Sequence, residues 1–136
     1  MSVQIKHIGI FVKDIDATAA FYARVFGLRR VAEVDAPPQF NQRALNVTDD
    51  AGHAITLIQP GDVENYREWV YKTWGVNHIG FTVDDLDATL AQLKAEGVEG
   101  IECIEVEGQP IAKFRDMNGT EIDVADSRYL VWDMSR

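Results

Sequence analysis

Apolar and polar residues alternate from Val3 to Val12, a stretch rich in β-branched side chains, and this pattern predicts a strand. The period then changes. Asp14 can cap a helix whose apolar stripe is Ala17, Ala20, Phe21, Val25 and Phe26, and Gly27 can end it. Val31–Val34 reads as a short strand, broken by Ala36-Pro37-Pro38-Gln39 and a loop that runs through Asn41. Arg43–Thr48 and His53–Gln59 alternate on either side of Asp49-Asp50-Ala51-Gly52, a hairpin signal. The same order then returns. Asn77–Val83 is a strand, Asp85 caps a helix through Leu86, Leu90 and Leu93 to Gly97, and Ile101–Glu107 is a strand. Gly108-Gln109 turns, and Pro110–Arg115 and Thr120–Ala125 form a hairpin around Asp116-Met117-Asn118-Gly119. The predicted fold is therefore α+β: tandem βαβββ modules over residues 1–61 and 77–136, joined by a connector over 62–76.

The halves are also alike in sequence. His7-Ile8-Gly9-Ile10-Phe11-Val12 returns as His78-Ile79-Gly80-Phe81-Thr82-Val83, and with a shift of 71 positions nine of the fourteen residues from His7 to Ala20 are identical. Each copy opens with a histidine at the same place in the same strand. Duplicated histidines on duplicated scaffolds are a way to bring two ligands to one site. In the connector, Tyr66, Trp69, Val70 and Trp74 recur at helical spacing, which suits core or subunit-interface packing, or an aromatic lid. The tail Tyr129-Leu130-Val131-Trp132 carries the same two readings.

Composition narrows the function class. The 136-residue chain carries a formal net charge of −9 with no block of lysine or arginine, which argues against nucleic-acid partners and against anionic membranes. The single cysteine, Cys103, excludes an intrachain disulfide, suits a reduced cytoplasm and reads as a small buried hydrophobe. The first residues enter strand-like sequence at once, with Lys6 and His7 where a signal peptide would need an apolar core, and no apolar run approaches membrane-spanning length.

Side chains two apart in a strand share a face. His7, Gly9 and Phe11 share one, and His78, Gly80 and Thr82 share another. Four-residue turns would pair Thr48 with His53 and Arg115 with Thr120. Leu45 and Arg43 would then oppose Thr56 and Ile58, and Ala112 and Phe114 would oppose Asp123 and Glu121. His53 points away from the Thr56 face.

The duplicated module, its His-Ile-Gly openings, and the closing segment Phe114-Arg115-Asp116-Met117-Asn118-Gly119-Thr120-Glu121-Ile122-Asp123-Val124 resemble the vicinal oxygen chelate superfamily of glyoxalases, epimerases, extradiol dioxygenases, fosfomycin-resistance enzymes and bleomycin-binding proteins. The resemblance covers nearly the whole chain. It implies curved mixed sheets around one divalent ion, with Fe(II), Mn(II), Zn(II), Ni(II) and Co(II) all compatible. It places metal ligands at His7, His78 and Asp123, the last where the family usually has glutamate. Thr56 stands where glyoxalase-like relatives carry a stronger ligand. A threonine hydroxyl is a poor ligand for a dication, so the chain departs from the four-ligand pattern.

Two imidazoles and one carboxylate leave metal positions open to a substrate with two adjacent oxygens. Three function classes follow from the resemblance. The first is proton transfer at carbon, as an isomerase or lyase of the glyoxalase or epimerase type, with Glu121 as the proton-moving base. The second is Fe(II) extradiol ring cleavage. The third is metal-free trapping or resistance by binding. Gly9 stands where fosfomycin-resistance enzymes place a catalytic threonine. Thr56, Arg43 and Phe114 are the candidate substrate contacts; Arg43 could instead form a rim salt bridge. The expected partners are a small oxygenated organic substrate and a second copy of the chain in a homodimer.

Overall fold

The structure, a computed structural model, describes residues 7–34, 41–62 and 78–132. Val3–Lys6, the loop at Ala36–Gln39 and most of the aromatic connector lie outside the described residues. The chain divides into two compact units, Met1–Trp74 and Gly75–Arg136.

The first unit contains β1 (His7–Phe11), α1 (Ile15–Phe26), β2 (Arg29–Val34), β3 (Gln42–Thr48) and β4 (Ala54–Pro60). The second contains β5 (His78–Thr82), α2 (Leu86–Ala95), β6 (Glu102–Val106), β7 (Gln109–Arg115) and β8 (Glu121–Ala125), followed by a short 3-10 turn, Leu130–Trp132. The sheet orders are β1-β4-β3-β2 and β5-β8-β7-β6. In each, the first strand lies parallel to the last and the other pairs are antiparallel. The α+β class and the repeated strand–helix–three-strand order are as the periodicity predicted. Among the described residues no helix is long and apolar enough to cross a membrane.

The helices start where their caps dictate. Asp14 accepts the Ala17 N–H at 3.0 Å and Asp85 accepts the Ala88 N–H at 3.0 Å, each satisfying an amide with no partner inside the helix. Gly27 ends α1 at φ +67°, a left-handed cap that disfavours a β-carbon. A further latch ties each helix to its sheet. Gln59 Oε1 accepts the Ile15 N–H at 2.8 Å, and Asp126 Oδ2 accepts the Leu86 N–H at 3.1 Å. Helix α1 packs on β2, β3 and β4 and buries Ile15, Thr18, Ala19, Phe21 and Tyr22, alongside buried Leu45, Val47, Ile55 and Leu57. In the second unit Leu86 and Leu93 of α2 are buried, as are Ala112, Phe114, Ile122 and Val124.

Both hairpin registers differ from the expected ones by one residue. Thr48 pairs with Ala54 and Arg115 with Glu121. The cause is the leading aspartate of each turn. Asp49 Oδ1 accepts the N–H groups of Ala51 and His53, and Asp116 Oδ1 accepts those of Asn118 and Thr120. The main chain closes five-residue loops through Asp49 N–H to His53 O and Asp116 N–H to Thr120 O, both 3.0 Å. A one-residue slip moves every paired side chain to the opposite face. The β6–β7 turn also differs: it is Glu107-Gly108, with φ of +54° and +73°, and Gln109 already pairs with Val106.

Candidate functional site

In the first module, the pairings His7 with Ala54 and Gly9 with Thr56 put His7, Gly9 and Thr56 on one face. Asn46 is opposite Thr56 and completes that rung. The Thr56 hydroxyl donates to Asn46 Oδ1 at 2.7 Å, so its proton is committed within the sheet. Arg43 lies on the other face, opposite Gln59. Its guanidinium pairs with Glu33 at 2.8 Å and with Asp16 of α1 at 3.5 Å, and Arg30 reaches Asp16 at 3.1 Å. The Glu33 carboxylate raises Arg43 above its ordinary value, and the Arg30 guanidinium lowers Asp16. The expectation that Arg43 shares a face with Thr56 is corrected by the register, and its rim-pair reading is the observed one.

In the second module, His78 pairs with Glu121 and Gly80 with Asp123, which puts His78, Glu121 and Asp123 on one face. His78 Nε2 lies 3.3 Å from Asp123 Oδ2. The Asp123 side chain is 6% exposed. Lys113, directly opposite on β7, reaches both Asp123 oxygens with its Nζ, at 2.8 and 2.9 Å. That hydrogen-bonded carboxylate, with Glu121 beyond it, raises the Lys113 ammonium above its ordinary value despite partial burial. The sequence reading missed Lys113. A five-residue loop in place of the assumed four would have brought it opposite Asp123.

Phe114 pairs with Ile122 rather than Glu121 and is 3% exposed. It borders a groove of about 270 Å³ whose charged lining is Glu99, Glu102, Lys113, Arg115 and Glu121, but its ring is committed to the core. At one end of the His78 and Asp123 face, Tyr129 packs with Ile111 and Ala125, and Val106 and Val131 join them. The Tyr129 part of the tail is therefore core. Cys103 is exposed on the edge strand β6, not buried as expected. His53 lies in the exposed turn, 3.2 Å from Asp49.

Within either module, among the described residues, no three His, Cys, Asp or Glu side chains converge as a metal cluster. The donors present in the second module nevertheless suit a divalent cation. An imidazole and a nearly buried carboxylate meet from neighbouring strands, and a cationic ammonium stands in at that carboxylate.

Residues 4–124 match the sequence model of the glyoxalase/bleomycin resistance protein/dioxygenase superfamily. A curated relative, a 2-epi-5-epi-valiolone epimerase from Actinomyces sp., is 27% identical over 109 residues, which is 70% of this chain and 60% of that protein. The chain thus spans less than two thirds of that relative's length. A trypanothione-dependent glyoxalase I from Leishmania major has the same fold, with a TM-score of 0.78 at 19% identity, over 98% of this chain and 94% of that one. A glyoxylase/bleomycin resistance protein/dioxygenase domain from Frankia sp. gives 0.72 at 17% identity, over 91% and 97%. A mutant of the fosfomycin resistance protein FosX from Listeria monocytogenes, complexed with Mn(II) and a dihydroxypropylphosphonic acid, gives 0.69 at 20% identity, over 92% and 93%. With its duplicated βαβββ modules and a family match over nearly its whole length, the chain belongs to the glyoxalase/bleomycin resistance protein/dioxygenase superfamily.

Proposed function

We propose that this chain is a divalent-metal-dependent enzyme of the glyoxalase or epimerase type, an isomerase or lyase acting on a small substrate held through two adjacent oxygens. The metal ligands in this reading are His7, His78 and Asp123. The observation that carries it is the approach of His78 to Asp123 at 3.3 Å with Glu121 on the same face. The epimerase relative supports proton transfer over ring cleavage. His7, His78 and Asp123 would hold the divalent ion, which would supply Lewis acidity that makes a C–H beside the substrate's oxygens easier to deprotonate.

The remaining work falls to the chain's own side chains. Glu121 adjoins the groove and is only half-buried, so its carboxylate can take the proton from carbon and return it. Arg115 is held by its bond to the Gly119 carbonyl at 2.8 Å and offers a fixed cation at the groove. The Thr56 hydroxyl, anchored to Asn46, orients substrate by hydrogen bonding. We also expect a homodimer, which sedimentation at micromolar concentration checks.

Elemental analysis of protein purified without added metal should find a divalent ion, and metal-free ligand trapping makes the opposite prediction. Metal-loaded protein should catalyse exchange of the carbon-bound proton of small hydroxy-ketones with deuterated solvent, followed by NMR. Glu121→Gln should abolish exchange and keep the metal. Exchange at the wild-type rate in Glu121→Gln would remove Glu121 as the base.

A further inference from the structure

We propose that Lys113 is a built-in competitor for the metal, its ammonium holding the Asp123 carboxylate that would ligate the ion. This rests on the metal reading above. Lys113 Nζ contacts both carboxylate oxygens, at 2.8 and 2.9 Å, and the carboxylate is 6% exposed. Few directions of approach to Asp123 therefore remain that avoid the ammonium, and one of them is already taken by His78. A dication bound there would sit within a few ångströms of a positive charge in a poorly solvated place, where repulsion is weakly screened. Either the metal–carboxylate bond is weakened or the ammonium leaves.

The surroundings allow it to leave. Lys113 has a flexible four-carbon stem, its side chain is 26% exposed, and the groove it lines also carries Glu99, Glu102 and Glu121. The pair also stabilises the metal-free protein, because a nearly buried carboxylate without a partner is strongly destabilising. The fold does not require a cation at this rung. The matching rung of the first module has Asn46 opposite Thr56, a neutral pair bonded at 2.7 Å.

The test compares three full-length proteins: wild type, Lys113→Asn and Lys113→Arg. Lys113→Asn supplies the residue that the first module uses on this rung, so a donor for Asp123 is kept. Lys113→Arg keeps the charge. Zn(II) and Co(II) affinities are measured by calorimetry, and folding by thermal melting without metal. Lys113→Asn should bind either ion at least about tenfold more tightly than wild type, the range in which partners of metal ligands act. Lys113→Arg should stay near wild type. The rise in Tm on adding metal should be larger for Lys113→Asn than for wild type. Binding by Lys113→Asn alone would also support the competitor role. Wild-type binding with equal or weaker affinity in Lys113→Asn would overturn that role and leave the metal reading standing. No binding by any of the three would overturn both.

Discussion

On the rung that carries the candidate chemistry, the first module places Thr56 opposite Asn46 and the second places Asp123 opposite Lys113. Both rungs lie beside a glycine of the first strand, Gly9 or Gly80, two residues after the histidine that opens each module. The backbone devices are shared almost residue for residue. Asp14 and Asp85 cap the helices, Gln59 and Asp126 latch them, and Asp49 and Asp116 close the hairpins. The duplication has kept what sets backbone geometry and let the rung of Thr56 and Asp123 diverge. One copy is neutral on that rung; the other holds an ion pair.

The cores diverge by compensation. Val47, Leu45 and Leu57 occupy the positions that Phe114, Ala112 and Val124 occupy in the second module. Where one copy uses two leucines and a valine, the other uses a phenylalanine beside smaller residues, so the large side chain of one position is offset by small ones at its neighbours in a close-packed interior. The contrast sets the largest expected effect. Phe114→Ala should cost about 3–5 kcal/mol of folding stability. Val47→Ala, losing two methyl groups, should cost about 2 kcal/mol. Both are read by urea denaturation. A Phe114→Ala protein with wild-type stability and weakened substrate binding would return Phe114 to the substrate site.

The next effect concerns the diverged face. Alanine at His78, or Asn at Asp123, should strip the metal and lower activity by more than about a hundredfold, at or beyond the upper end seen for groups that only support metal ligands. His7→Ala should do the same if the first module contributes its histidine. Elemental analysis of the purified variants checks each. Full occupancy in His7→Ala would confine the metal to residues of the second module.

Local chemistry explains why the elements were legible in the sequence and the faces were not. Helix starts, the Gly27 stop and the order of elements along the chain followed from caps and periodicity, which act over a few residues. Alternation put Glu121 and Asp123 on one face of their strand, but only the family resemblance joined them to His78, and the parallel pairing of β5 with β8 is what sets all three on one face. Arg43 and Phe114 were placed through a turn, and the turn was misread by one residue. The Asp49 and Asp116 side chains add a fifth residue to each loop, a choice that the sequence Asp-x-x-Gly does not advertise. Lys113 was lost to the same slip.

A smaller effect separates the two latches. Asp126 is held well below the usual carboxylate range, first by the Arg128 side chain and then by the N–H groups of Arg128 and Leu86. A carboxylate depressed in the folded state adds stability above its unfolded value, about pH 3.9, and loses it as pH falls toward the folded value. Gln59 does not titrate. Acidification below about pH 4 should therefore loosen the second module through its latch, and Asp126→Asn should remove that part of the acid response at the expense of a Tm lower by a few degrees at neutral pH. Thermal melts at several pH values check this. An unchanged acid response in Asp126→Asn would assign it to other carboxylates.

The smallest expected effect tests whether the neutral rung is a metal position at all. Thr56→Val removes one hydroxyl that donates to Asn46, a loss of roughly 0.5–1.5 kcal/mol, and leaves the β-branched shape that suits a strand. If Thr56 only orients substrate, the variant keeps its full metal content and shows a modest rise in KM with kcat nearly unchanged. Loss of metal would make the threonine a true ligand and erase the asymmetry between the modules. Thr56→Glu pushes the other way. It would give the first module a carboxylate where the second has Asp123, with no lysine across the rung to compete, since Asn46 stands there. The metal should then bind more tightly, and a substrate that needs two adjacent positions should bind less well. Tighter metal with retained substrate binding would show that the position vacated by Thr56 is not the one the substrate uses.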